Sequence, residues 1–167
     1  MGTPGAHRYG YDVLVREETT PSLTPVLVSA CLLGQECRYD GRHNESAALI
    51  AELKSRGETP VPFCPEERGG LSTPRPPAWI EKSGAGAVLD GESRVLTESG
   101  ADVTAEFRRG AEGALRACRE HGIERAYLKE RSPSCGVANT HVAGKLVEGP
   151  GVTAELLKRN GIDPFPG

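Results

Sequence analysis

Val26-Leu27-Val28-Ser29-Ala30-Cys31-Leu32-Leu33-Gly34-Gln35-Glu36-Cys37-Arg38-Tyr39-Asp40-Gly41 is the stretch from which the fold is read. Val26 to Ala30 is apolar on both faces, the pattern of a strand in a sheet that helices cover on each side. The run leads directly into a thiol, and a Gly-punctuated polar loop then carries a second thiol, an Arg and an Asp. Read this way, a strand delivers chemistry at its carboxyl end.

The pattern repeats outward from there. Asn44 can cap a helix that holds Leu49, Ile50 and Leu53 at helical spacing and ends at Gly57. Thr59 to Phe63 predicts a second strand, which Pro60 and Pro62 confine to an edge or a short ladder, and it runs into Cys64-Pro65-Glu66. Asp102-Val103-Thr104 opens a long helix with Phe107, Ala111, Ala114, Leu115 and Cys118 on one stripe, and Gly122 stops it. Ala126 to Lys129 predicts a third strand, followed by Glu130-Arg131-Ser132-Pro133-Ser134-Cys135-Gly136. A turn region from roughly Gly144 to Gly151 precedes a last helix that Thr153 can cap and that buries Leu156 and Leu157 before Gly161. Strands alternating with helices predict an α/β fold: a single three-layer αβα domain, Rossmann-like, with a mostly parallel sheet and helices on both faces.

Two segments read as irregular or small. Gly69-Gly70-Leu71-Ser72-Thr73-Pro74-Arg75-Pro76-Pro77 cannot be regular structure, since each Pro lacks a donor and restricts its predecessor. It is either a plain rigid connector or a stiff loop beside a site. Ala87-Val88-Leu89 and Arg94-Val95-Leu96 flank Asp90-Gly91-Glu92-Ser93, a turn signal for a small hairpin.

At 167 residues the chain has room for one domain with a real core. Residues 1–24 carry no patterned apolar face beyond Tyr11 to Val15 and are expected to be a flexible extension that includes His7, leaving 25–167 as the domain. With 20 Lys+Arg against 23 Asp+Glu, the net charge of −3 gives no broad basic surface, which argues against a long nucleic-acid duplex as partner. There is no apolar run of about 18 residues and no basic-then-apolar leader in the first twenty, so the expectation is a cytoplasmic monomer without a membrane partner.

Five cysteines is an odd count, and in a reducing compartment thiols serve as metal ligands or core residues more readily than as disulfides. Cys31, Cys64 and Cys135 each follow a predicted strand within a loop of Ser, Gly or Pro. In an open α/β sheet ligands bind beyond the carboxyl ends of the strands, so these three can converge on one pocket. Cys118 lies on the apolar helix stripe and reads as core, whereas Cys37 is a fourth ligand, a reactive thiol or packing. Structural zinc prefers paired C-x-x-C ligands, which are absent here; scattered thiolates also suit an iron-sulfur cluster, and a four-iron cluster on three cysteines leaves one iron open. Spacing alone does not choose between iron and zinc. A non-catalytic cluster- or zinc-binding module, and a thiol enzyme with Cys135 as nucleophile, stay as alternative readings. His43, His121 and His141 stand singly and are assigned to no site.

Several motifs in order carry a more specific signal. Val-Ser-Ala-Cys-Leu-Leu-Gly (28–34), Cys-Arg-Tyr-Asp-Gly (37–41), Phe-Cys-Pro-Glu (63–66), Gly-Gly-Leu-Ser-Thr-Pro-Arg-Pro-Pro (69–77), Lys-Glu-Arg-Ser-Pro-Ser-Cys-Gly (129–136) and Gly-Pro-Gly-Val-Thr-Ala-Glu-Leu-Leu (149–157) resemble the TudS family of thiouracil desulfidases, over about Pro25 to Ile162. The resemblance implies a 4Fe-4S cluster held by Cys31, Cys64 and Cys135, the three that strand placement selects. It implies catalytic groups at Glu66 and Ser132, with Asp40 a further candidate and Ser134 an alternative to Ser132. The implied reaction removes sulfur from a thiolated pyrimidine base or nucleoside, 2- or 4-thiouracil or a thiouridine, leaving uracil or uridine and sulfide. Arg38 and Arg75 either hold a phosphate or solvate loops.

Overall fold

The computed structural model describes residues 23–167; the segment Tyr11 to Val15 and His7 lie outside them. Four strands build the central sheet: β1 (Thr24–Ser29), β2 (Glu58–Phe63), β5 (Arg125–Leu128) and β8 (Asp163–Pro166), in the order β2-β1-β5-β8. Every pairing in it is parallel. The proline-bearing β2 sits at an edge, where missing donors cost no ladder bonds on its outer side.

Successive residues of a strand point to opposite faces, and both faces are covered. On one side Val26, Val28 and Tyr127 pack with Leu49 and Leu53 of α1 (Ala47–Ser55). On the other Leu27, Ala126 and Leu128 pack with Ala114, Leu115 and Cys118 of α4 (Thr104–His121) and with Ala154 and Leu157 of α5 (Val152–Arg159). The three-layer αβα architecture read from the sequence is the one observed, and Cys118 is a core thiol at 1% exposure. No helix among the described residues is long and apolar enough to cross a membrane.

A second sheet was not legible in the sequence. It consists of β3 (Ala78–Ile80), β4 (Val95–Thr97), β6 (Asn139–Val142) and β7 (Lys145–Glu148), ordered β4-β3-β6-β7. The hairpin expected around Asp90-Gly91-Glu92-Ser93 does not form. Ala85–Leu89 is instead the short helix α3, closed by hydrogen bonds that the Asp90 and Glu92 amides donate to the Gly86 and Ala87 carbonyls, while β4 pairs antiparallel with β3. Ala85 and Val88 are spaced by one helical turn and both buried, and five residues are too few for a period to distinguish helix from strand. Of the turn region expected from Gly144 to Gly151, only Gly144 lies in the turn of the β6–β7 hairpin, and Lys145–Glu148 is strand β7.

Two predicted caps also move. Ser46 caps α1, its Oγ accepting from the Leu49 amide at 3.2 Å, because Asn44 Oδ1 is taken by Arg38 Nη1. Gly151 precedes α5, and Thr153 lies inside it at 0% exposure, its hydroxyl 2.9 Å from that of Ser134.

Candidate active site

The carboxyl ends of three adjacent strands carry the three thiols singled out by the sequence. β1 passes into a 3-10 turn, Ala30–Leu33, whose second residue is Cys31, and Gly34 closes that turn in the left-handed region at φ 91°. β2 passes into Cys64, still extended, and then into α2 (Pro65–Arg68), where Pro65 supplies the fixed φ of a first helical position. β5 passes into a loop that ends at Cys135. Ser29 Oγ accepts from the Lys129 amide at 2.9 Å and so ties the ends of β1 and β5 together. Cys31, Cys64 and Cys135, with Cys37, line one cavity of about 400 Å³.

The thiols feel one another. Cys37 hydrogen-bonds Cys31 and lowers its pKa against the opposing effects of burial and of facing Cys135 and Cys64, with Lys129 assisting. The same bond first, then burial, pushes Cys37 up to about 11. Cys64 is raised through its bond with Cys37 and by burial, and its Sγ also lies 3.7 Å from the Cys37 carbonyl. Burial pushes Cys135 up to about 12. Among the described residues no three His, Cys, Asp or Glu side chains are grouped to hold a metal ion. Soft thiolate donors spread around a cavity suit a polynuclear iron-sulfur group better than a single tetrahedral zinc.

Glu66 also lines the cavity, one residue past the first position of α2. Its Oε2 accepts from Arg75 Nε at 2.6 Å, in a pair whose side chains are 15% and 6% exposed. Oε1 makes no hydrogen bond among the described residues. Arg75 spends its remaining nitrogens on the loop: Nη1 on Thr73 Oγ1 and the Ser72 carbonyl, Nη2 on the Cys37 carbonyl. The Pro-rich segment is thus a loop at the site, and Arg75 is neither a solvated side chain nor an open phosphate ligand but the clamp that joins this loop, Glu66 and the Cys37 turn.

Ser132 lines the cavity and Ser134 does not. The Ser132 Oγ accepts from the amides of Ser134 at 3.1 Å and Cys135 at 3.0 Å, which uses both its lone pairs and leaves its O–H to donate. Ser134 is 1% exposed and committed to Thr153. Asp40 stands outside the cavity lining, its carboxylate shared between Arg38 and Arg42. Desolvation acts most strongly on the Asp40 carboxyl and raises its pKa, but the hydrogen bonds from Arg42 and the charges of Arg38 and Arg42 together outweigh it and hold the group below its ordinary value. Arg38 itself faces the cavity beside Asn44 and Tyr39.

Two close approaches fix this arrangement. A Cβ on Gly110 of α4 would stand 1.9 Å from the Pro65 carbonyl oxygen, and one on Gly69 2.0 Å from that of Glu106, so α2 rests directly on the α4 backbone. A Cβ on Gly136 would meet the Asn139 and Ser132 carbonyls at 2.1 and 2.8 Å. The same loop is held by Glu130, whose carboxylate accepts the amides of Val137, Ala138 and Asn139. Cavity residues that sequence reasoning did not single out include Lys129, Arg131, Trp79 and Tyr39. Lys129 ends a strand just as the thiols do, which is the signal that marks it; Trp79 lies on a strand of the second sheet and had none.

An open parallel α/β domain with thiols, a clamped carboxylate and a donor hydroxyl around one cavity at its strand ends belongs to the class of metal- or cluster-using enzymes rather than to closed structural metal modules. The model of the 2-thiouracil desulfurase family matches residues 26–166, and the chain belongs to that family. It is 44% identical over 142 residues to an uncharacterized protein, YbbK, of Bacillus subtilis (strain 168), which spans 81% of this chain and 91% of that protein. A solved structure described as the [4Fe-4S]-dependent thiouracil desulfidase TudS is 46% identical and superposes with a TM-score of 0.73 over 86% of this chain and 90% of its own.

Proposed function

We propose that residues 25–167 form a 4Fe-4S-dependent desulfidase that hydrolyses the thiocarbonyl of 2- or 4-thiouracil or a thiouridine, giving uracil or uridine and sulfide. The observation that carries the reading is the convergence of Cys31, Cys64 and Cys135 on one cavity that Glu66 and Ser132 also line. The TudS neighbour supports it, being described as [4Fe-4S]-dependent and as acting on thiouracil.

Cys31, Cys64 and Cys135 would hold the cluster, which when bound supplies an iron without a protein ligand, a Lewis acid for the substrate sulfur. The protein's own groups do the rest. Glu66 takes a proton from the attacking water at Oε1, the oxygen that Arg75 leaves free, while the clamp on Oε2 fixes the carboxylate's direction. Ser132 donates its hydroxyl hydrogen to an oxygen or nitrogen of the ring. Asp40 positions Arg38 at the cavity rim. The water oxygen replaces sulfur on the ring carbon, the C–S bond breaks, and both water protons leave with sulfide, so no oxidant or reductant is consumed.

The test is sulfide release and uracil formation from 2- and 4-thiouracil by protein loaded with cluster without oxygen. Single Ala variants of Cys31, Cys64 and Cys135 should each lose iron and turnover together. Full activity in Cys31→Ala and Cys64→Ala with loss only in Cys135→Ala would contradict the cluster reading and favour a Cys135 nucleophile.

A further inference from the structure

We infer that Trp79 is the face on which the substrate ring stacks, and so a determinant of which heterocycles the cavity admits; the inference rests on the desulfidase reading of that cavity. Trp79 is the chain's single tryptophan. It occupies the middle of β3, where strand alternation turns it away from its neighbours. Ala78 and Ile80 pack in the hydrophobic cluster beneath the second sheet, while Trp79 belongs to none of the three clusters and stands half-buried in the cavity wall. A large indole placed outside the core and beside a site needs a partner that the described residues do not provide: its N–H makes no hydrogen bond among them.

Its surroundings leave the ring face open. Ile80 pairs in register with Val142 on the parallel strand β6, so Trp79 and His141 lie side by side on the same face, and both line the cavity. His141 is held there by its Nδ1, which donates to the Arg131 carbonyl at 2.8 Å. Across the hairpin turn Gly144 has φ 75°, and a Cβ there would sit 4.0 Å from the indole, ordinary van der Waals contact, so the turn borders the ring without covering it. The other aromatic rings of the cavity are already engaged: the Arg38 guanidinium lies 5.9 Å over Tyr39, and Phe63 packs in the core with Arg68 over it. Trp79 therefore faces, from the second sheet, the space into which the thiols project from the first. A flat pyrimidine between the two walls can put its sulfur toward the thiols while its face rests on the indole, a contact worth about one to two orders of magnitude in affinity.

The experiment uses cluster-loaded wild type, Trp79→Leu and Trp79→Phe. Because 4-thiouracil absorbs where tryptophan emits, titration with it should quench the fluorescence of wild type saturably, with half-quenching at the concentration where turnover half-saturates. Trp79→Leu should keep its iron and raise KM for thiouracil roughly tenfold or more, with kcat changed much less; Trp79→Phe should recover most of the loss. Turnover by wild type with no saturable quenching, or with KM unchanged in Trp79→Leu, overturns the stacking inference and leaves the desulfidase reading standing. Should Trp79→Leu fail to fold, wild-type quenching and the Trp79→Phe KM decide. Loaded wild type that releases no sulfide from any thiopyrimidine overturns the desulfidase reading, and this inference with it.

Discussion

At the residue scale the site turns on one ion pair. Arg75 grips Glu66 by a single carboxylate oxygen and spends its other nitrogens on the Thr73 region and on Cys37. Glu66→Gln keeps the shape and removes the base, so kcat should fall roughly 10²- to 10⁴-fold while iron content stays at the wild-type value. Arg75→Lys keeps the charge but loses the planar fork, and should also lower kcat, more than KM rises, with the cluster retained. Iron analysis beside steady-state kinetics checks both; loss of iron in Glu66→Gln would give that carboxylate a structural role instead. Much of this scale is legible in the sequence. A thiol directly after an apolar strand announces its place at the sheet rim, and the Phe-Cys-Pro-Glu motif ties Glu66 to it. Arg75 is not legible in the same way, because its partners lie 9 and 38 residues away and only folding brings them together. Ser132 and Ser134 are indistinguishable by spacing; the structure puts Ser132 in the cavity wall and pairs the Ser134 hydroxyl with that of Thr153 inside α5.

At the element scale, the two glycines inside the long α4 helix, Gly110 and Gly113, look like flaws, since glycine weakens a helix interior by about 1 kcal/mol relative to alanine. The structure accounts for Gly110 by the passage of α2 against its backbone. Gly110→Ala should therefore destabilise the fold by about 1–3 kcal/mol despite its better helix propensity, and displace Glu66 enough to depress turnover. Denaturant midpoints and kcat measured on the same variant test this, and a stabilised, fully active Gly110→Ala would refute the close-approach account. Long periodic elements such as α4 and the apolar β1 are readable because many residues repeat one signal. Short ones such as α3, β3 and β4 are decided by what they pack against, which is why Ala85–Leu89 passes for one arm of a hairpin until Val88 is seen in the core.

At the scale of the whole molecule, two sheets face one cavity: the parallel one supplies the thiols and the second supplies Trp79 and His141. The parallel sheet is anchored at its opposite end by Glu58, whose side chain is 1% exposed, with Arg125 at 2.6 Å and the Tyr127 hydroxyl donating at 3.1 Å. Arg125→Ala leaves that buried carboxylate without its ion-pair partner and should cost about 1–3 kcal/mol in chemical denaturation. The exposed Arg159, though paired with both Asp90 and Glu155, should leave the midpoint unchanged when replaced by Ala, since solvent screens such pairs. The alternation of strands and helices made the parallel sheet predictable, whereas the second sheet joins strands of three or four residues, with a long stretch of chain between β4 and the β6–β7 hairpin. The cavity wall they form could be found only by folding.

Everything proposed for this cavity depends on Cys31, Cys64 and Cys135 together holding a four-iron cluster there. The most direct test is the iron and acid-labile sulfide content, with the visible spectrum, of protein purified without oxygen. About four irons and four sulfides per chain with a broad brown absorbance are predicted, all lost in each single Ala variant of the three cysteines. A colourless chain that binds zinc, or nothing after reconstitution with iron and sulfide, would contradict it.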